Sequence, residues 1–229
     1  MNSPTGIGRH LADESLPRHC HADGYIALVL DGGYEEAGDE GRFAALPGTV
    51  VIHGRWTAHL DRFGARGARV LNLPAMGHLP LGAGSLSDPD TAARLAERDP
   101  VAAAEYVREH FRPGAAQRDD WPDLLAAALR TDPDIVLAPW ARRMAIDPAS
   151  VSRGFARAYG VSPKRFRLEA RTRRALLALD RWRGSLADLA ADQGFADQAH
   201  LTRSITAMTG IPPILHRAKS VQAGGIDPR

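Results

Sequence analysis

Through the first ninety or so positions, apolar residues fall in short runs and not at helical spacing. Tyr25 to Leu30, Thr49 to Ile52, Ala58 to Phe63 and Ala68 to Leu73 are such runs, bounded by Asp31-Gly32-Gly33, Pro47-Gly48, Gly54, Gly64 and Gly67. Each has the length and flanking chemistry of a β-strand, with Asp31-Gly32-Gly33 reading as a tight turn. Strands at this spacing predict a small sandwich or barrel. From Asp88 the period changes. Residues 90–98 and 100–111 are rich in Ala, Leu, Glu and Arg, each behind a Pro or Asp-Pro start signal, and Pro122 to Arg130 reads as a third short helix. Ala92, Leu95 and Ala96, then Val101, Ala104, Val107 and Phe111, form apolar stripes that suit packing on the barrel. A second copy of the chain, making a homodimer, is the alternative cover for them.

The C-terminal part is helical and repeats itself. At a shift of 50, Val151, Arg153, Phe155, Gly160, Val161, Pro163 and Arg167 fall on Leu201, Arg203, Ile205, Gly210, Ile211, Pro213 and Arg217. Upstream the shift is 49, with Leu137, Ala138 and Ala141 falling on Leu186, Ala187 and Ala190. The second copy therefore has one extra residue, within Gly194-Phe195-Ala196-Asp197. A turn tolerates an insertion and a packed helix does not, so each copy is helix–turn–helix. Leu137, Trp140, Ala141 and Met144 form one apolar stripe. Asp147, Ser162, Ser185 and Asp197 are N-cap candidates, and a longer helix from Pro163 to about Arg181 joins the copies.

Charge sharpens this division. The chain of 229 residues has a formal charge of only +2. Residues 134–229 carry 16 basic and 8 acidic side chains, a balance of +8, and the other 133 residues carry 13 and 19, a balance of −6. Such asymmetry points to nucleic acid or another anionic surface, or to a solvated basic face without a partner. Two helix–turn–helix units on a stiff connector suit DNA, with the second helix of each in the major groove about one helical turn, roughly 34 Å, apart. A helical repeat that packs proteins is the other reading, and it leaves the charge unexplained.

The segment from about Leu137 to Arg217 resembles the DNA-binding domain of the AraC/XylS family of bacterial transcription regulators. The residues that carry the resemblance are Ser152-Arg153-x-Phe155, Gly160-Val161-Ser162-Pro163, Leu189-Ala190, Gly194-Phe195-x-Asp197-Gln198-x-His200-Leu201-x-Arg203 and Gly210-Ile211-x-Pro213 with Arg217. Departures are Ile205, where the family usually has Phe, and His216, where it prefers an aromatic residue. The resemblance implies DNA-reading positions at Ala149, Ser152 and Arg153 in the first unit, and at Gln198, Ala199, Thr202 and Arg203 in the second. Arg153 and Arg203 have the fork for guanine and Gln198 the amide for adenine, whereas the alanines offer methyl contacts to thymine. Holding phosphate, or pairing with an acidic neighbour inside the domain, is the alternative for the arginines.

The N-terminal region resembles, more loosely, the small cupin barrel with which many such regulators bind an effector and dimerise. His19-x-His21, Pro47-Gly48-Thr49-Val50-Val51 and His59 carry that likeness. In metal-binding cupins the His-x-His pair, a Glu a few residues on and a later His hold one ion. Here Tyr25 and Ile26 stand near the position expected for the Glu. His19 and His21 share a strand face, and with His59 they could bind zinc, iron or nickel. Alternatively the histidines line a metal-free effector pocket with Tyr25, His53 and Trp56.

The expected architecture is therefore two-domain. An all-β cupin-like barrel with trailing helices occupies 1–113, and a linker with a short helix 114–133. An all-α pair of helix–turn–helix units joined by a long helix occupies 134–218, ahead of a flexible tail at 219–229. The expected function is a non-enzymatic, effector-responsive regulator that binds operator DNA, with RNA polymerase as a further partner and no required cofactor. A metal-dependent cupin enzyme with an accessory helical domain is the alternative, and it falters on the missing Glu. The single cysteine, Cys20, excludes an intramolecular disulfide. With no apolar leader or membrane-length run, it points to the cytoplasm.

Overall fold

The computed structural model describes residues 5–75, 77, 80–114 and 119–216. The chain divides into two compact units, Met1–Pro163 and Lys164–Arg229. The packing division thus falls inside the repeat and not ahead of it. Arg217 and the expected tail at 219–229 lie outside the described residues, as do residues 115–118 of the linker.

In the first unit, β1 (Gly6–His10), β2 (Ser15–Cys20), β3 (Tyr25–Gly38), β4 (Gly41–Ala45), β5 (Thr49–His53), β6 (Ala58–Pro74), β7 (Gly82–Ser85) and β8 (Arg112–Pro113) form one antiparallel eight-stranded sheet. The long strands β3 and β6 pair along most of their length. One half of this ribbon is flanked by β1 and β5, the other by β2 and β4.

Two expected turns are absent. The backbone runs through Asp31-Gly32-Gly33 within β3, and through Gly64 and Gly67 within β6, as continuous strand. The pairing register shifts beside Asp31 and again beside Gly32, which marks bulges. Gly32 (φ +72°) and Gly67 (φ +64°) face one another there, and a Cβ on Gly32 would lie 2.0 Å from the Gly67 carbonyl oxygen. Glycine therefore bends two strands together, where the local sequence suggested hairpins.

β3 is buried on both faces, which is why Tyr25 to Leu30 reads as an unbroken apolar run. Tyr25, Ala27 and Val29 join Phe43, Val51, Phe63 and Val70 on the inner side. Ile26 and Leu28 join Val50, Ile52, Leu71 and Leu73 beneath two helices, α1 (Pro89–Ala96) and α2 (Pro100–His110). Ala92, Ala103, Ala104 and Val107 seal this outer core, each large aliphatic side chain contributing about 1.5–3 kcal/mol. Val101, expected in the stripe, is exposed. Next come α3 (Trp121–Thr131), α4 (Leu137–Arg143) and α5 (Pro148–Tyr159).

The second unit contains α6 (Pro163–Leu179), α7 (Leu186–Asp192) and α8 (Gln198–Thr209), with Leu179, Leu189, Leu201 and Ile205 fully buried. Ile205 fills its position as a core residue, and His216 Nε2 lies 3.0 Å from the Thr209 hydroxyl. α6 ends two residues short of the expected Arg181.

The two copies match element by element. α4 and α7 each span seven residues and α5 and α8 each span twelve, the longer pair ending in left-handed glycines, Gly160 and Gly210. The Ile146 amide donates to the Ala141 carbonyl at 2.9 Å, and the Phe195 amide to that of Ala190 at 2.8 Å. Asp147 and Asp197 then cap the longer helices, so the inserted residue is Ala196. Met144, expected on the apolar stripe, follows α4 as its exposed C-cap. Ala145 adopts φ +54° where the second copy has Gly194 at +74°.

Left-handed backbone costs a residue with a Cβ about 1–2 kcal/mol. Ala145→Gly should therefore raise the unfolding midpoint by a few degrees, and a lowered midpoint in calorimetry would contradict the turn geometry. Gly32→Ala should cost at least ~2 kcal/mol in urea titration, because its Cβ meets backbone.

Candidate functional site

Alternation along four strands aims a polar set into the barrel. The cavity, about 210 Å³, is lined among others by His19 from β2, Tyr25 and Glu36 from β3, His53 from β5, and His59 and Asp61 from β6, with His21 just after β2. Register explains the grouping: His19 pairs with His59, Tyr25 with His53, and Glu36 with Asp61. The rings of His19 and His59 are 4.4 Å apart, those of His53 and His59 4.3 Å, and Tyr25 stacks on His53 at 4.4 Å. The Tyr25 hydroxyl lies 3.3 Å from His59 Nε2. Five of the six residues expected in an effector pocket thus meet; Trp56 is buried elsewhere, at φ +60°, and does not line this cavity.

Two overlapping ligand sets occur here, His19–His21–His59 and Glu36–His53–His59, each with donor atoms within 4.8 Å of one another. The first is the trio expected from the sequence. In it, His19 Nδ1 donates to the Pro17 carbonyl at 2.9 Å, which leaves Nε2 as the acceptor. The second set was not legible, because Glu36 reaches the cavity only if β3 continues past Gly33. Glu36 supplies the carboxylate whose lack disfavoured a metal-binding barrel. Asp61 also went unnoticed, although its spacing of two from His59 puts both on one face.

Burial dominates the electrostatics. It lowers His53 to about 3, with His21 and His19 adding to the shift, and holds His59 well below the usual range, so both imidazoles are neutral. Burial raises Asp61 to about 7 and Glu36 well above the carboxylate range, the latter reinforced by Asp61 and Glu40. Glu36 Oε2, His59 Nδ1 and Asp61 Oδ1 are buried without a hydrogen-bond partner among the described residues. Neutral imidazoles and partnerless acceptor atoms are what a metal ion requires of its ligands.

The expected DNA-reading residues lie on two helices. On α5, Ala149, Ser152 and Arg153 are exposed, with Val151, Phe155, Ala158 and Tyr159 buried opposite. On α8, Gln198, Ala199 and Arg203 are exposed and Thr202 is half-buried, with Leu201 and Ile205 beneath. Among the described residues neither Arg153 nor Arg203 makes an ion pair, and the Arg153 guanidinium only approaches the Ser150 hydroxyl at 3.5 Å.

α5 is also held by the barrel within the same unit. Arg62, on the outer face of β6, donates to the Arg157 carbonyl at 2.6 Å and the Ala158 carbonyl at 3.3 Å, and pairs with Glu35. These are carbonyls that a helix C-terminus leaves unsatisfied, at its negative end. A Cβ on Gly160 would come within 2.6 Å of Leu60, and one on Gly154 within 2.3 Å of the Trp121 ring. Tyr159 donates to Asp123 at 2.8 Å, and Arg42 of β4 grips that carboxylate at 3.1 and 2.9 Å while also pairing with Asp120.

Comparison with known proteins bears on the helical part. Residues 140–219 match the family model described as a helix-turn-helix domain. The match covers 80 of the 229 residues and places that segment in the helix-turn-helix class. No curated protein matches the chain. Among solved structures, ToxT from Vibrio cholerae aligns over 97% of this chain and 98% of its own at 9% identity, with a TM-score of 0.41. The C-terminal domain of AraT, a response regulator from Geobacillus stearothermophilus, aligns over 45% of this chain and 88% of its own at 16% identity, with a TM-score of 0.40. Neither score reaches 0.5.

Arg42→Ala leaves Asp123 buried without its cation and should cost about 3–5 kcal/mol. Arg62→Ala removes a cap and a partly exposed ion pair with Glu35 and should cost about 1–2 kcal/mol. Denaturant midpoints in the reverse order would contradict these assignments.

Proposed function

We propose that the chain is a transcription regulator that reads specific duplex DNA through α5 and α8, and that a small ligand in the barrel pocket tunes this binding. The observation that carries the reading is a repeated pair, Ser152-Arg153 on α5 and Thr202-Arg203 on α8, at the same position of two matching helices, with both arginines exposed and Thr202 half-buried. A hydroxyl residue followed by a guanidinium that makes no ion pair among the described residues, presented twice within a basic segment, suits base edges flanked by phosphates. The helix-turn-helix match supports the same conclusion.

The way a ligand acts follows from β6. His59 and Asp61 face the pocket, and Leu60 and Arg62 meet the C-terminal end of α5. A ligand that favours one arrangement of this strand biases how α5 is held, and so its presentation to DNA. The small volume of the cavity favours a polar ligand of few atoms.

Affinity for a selected genomic duplex should fall steeply with salt, its logarithm linear in the logarithm of salt concentration. Arg203→Ala should lose ~1–3 kcal/mol of specific binding in a gel-shift titration. Unchanged affinity in that variant, or no retained fragment at low salt, would overturn the reading.

A further inference from the structure

We propose that the floor of the barrel pocket is a divalent transition-metal site formed by Glu36, His53 and His59, deeper than the His19–His21–His59 set at its mouth. The three ligands come from β3, β5 and β6, and all three side chains are buried. His53 Nε2 and Glu36 Oε2 are 3.6 Å apart. That is too long for a good hydrogen bond. It is close to the edge of a tetrahedron with metal–ligand bonds of about 2.1 Å, which is roughly 3.4 Å.

Charge separates the two sets. Glu36 and Asp61 face each other across the register between β3 and β6, and no Lys or Arg is among the residues lining the cavity. Two buried carboxyl groups without a cation are costly unless protonated, and a dication within reach of Glu36 removes that cost. The mouth set has no carboxylate, and its His19 and His21 are only partly buried. The floor set also leaves Glu36 Oε2 and His59 Nδ1 without hydrogen bonds among the described residues, whereas Tyr25 fixes the His53 ring by stacking at an interplanar angle of 18°.

Two imidazoles and one carboxylate select a borderline ion such as zinc, cobalt, iron or nickel over calcium or magnesium. They leave coordination positions open toward the cavity, where water or a small anion fits. The site lies in the pocket assigned above to a ligand, but metal uptake is measured without DNA. Its failure therefore leaves the DNA-reading proposal standing.

The test is a titration of the whole, untagged chain with Co²⁺, followed by visible absorption and by calorimetry. One Co²⁺ per chain is expected. Glu36→Gln and His53→Ala should each weaken binding by at least 10–100-fold, whereas His19→Ala should leave it nearly unchanged. Circular dichroism confirms that each variant is folded, and Glu36→Asp serves as a second carboxylate variant should Glu36→Gln unfold. No stoichiometric uptake by the wild-type chain would overturn the proposal. So would binding that survives Glu36→Gln and His53→Ala but is lost in His19→Ala, since that places the ion at the mouth.

Discussion

The alternation of side chains along β6 is the constraint on which the first unit depends. Within five consecutive residues, His59, Asp61 and Phe63 face the barrel interior while Leu60 and Arg62 face α5. No loop or hinge intervenes between the polar cavity and the strand residues that meet the C-terminal end of α5. A strand cannot shift one face without shifting the other, so any ligand that repositions His59 also moves the cap on α5. The bent pairing of β3 with β6 holds this segment in place, and the bend rests on two facing glycines that leave no room for a side chain.

Around that strand the unit balances two kinds of interior. The outer core beneath α1 and α2 is wholly apolar and supplies stability in the ordinary way. The inner core begins apolar at Val29, Phe43 and Val70 and becomes polar toward the histidines, where Glu36, His59 and Asp61 each keep one buried polar atom without a hydrogen bond among the described residues. Such a pocket weakens the fold unless something occupies it. The Arg42–Asp123–Tyr159 network lies on the far side of α5 from its exposed residues, and it ties β4, α3 and α5 together. The helix is thus anchored by its buried face and its C-terminal end, leaving Ala149, Ser152 and Arg153 free to meet a partner.

Much of this was legible in the residues, and the missed strand continuity and the missed Glu36 share one physical cause. The repeat with a one-residue slip located the paired helices, the caps Asp147, Ser185 and Asp197 and the place of the insertion, because helix length and turn chemistry are local properties. Asp31-Gly32-Gly33 and Gly64 with Gly67 misled, because the positive φ that permits a tight turn also permits a bulge in a continuous strand. Only the tertiary pairing of β3 with β6 chooses between them. Reading a turn at Gly33 hid Glu36, and with it the carboxylate side of the pocket. Trp56 was grouped with the histidines by proximity in sequence alone, and no register argument supported it.

The claim that organises the molecule is that α5 and α8 present paired arginines to DNA. It is tested most directly by incubating the purified chain with sheared genomic DNA and sequencing what it retains, beside the Arg153→Ala/Arg203→Ala double variant. A discrete set of fragments sharing a sequence pattern, retained by the wild-type chain and lost in the double variant, is the expected result. Retention of the same fragments by both proteins, or of none above background by either, would show that these helices do not read DNA.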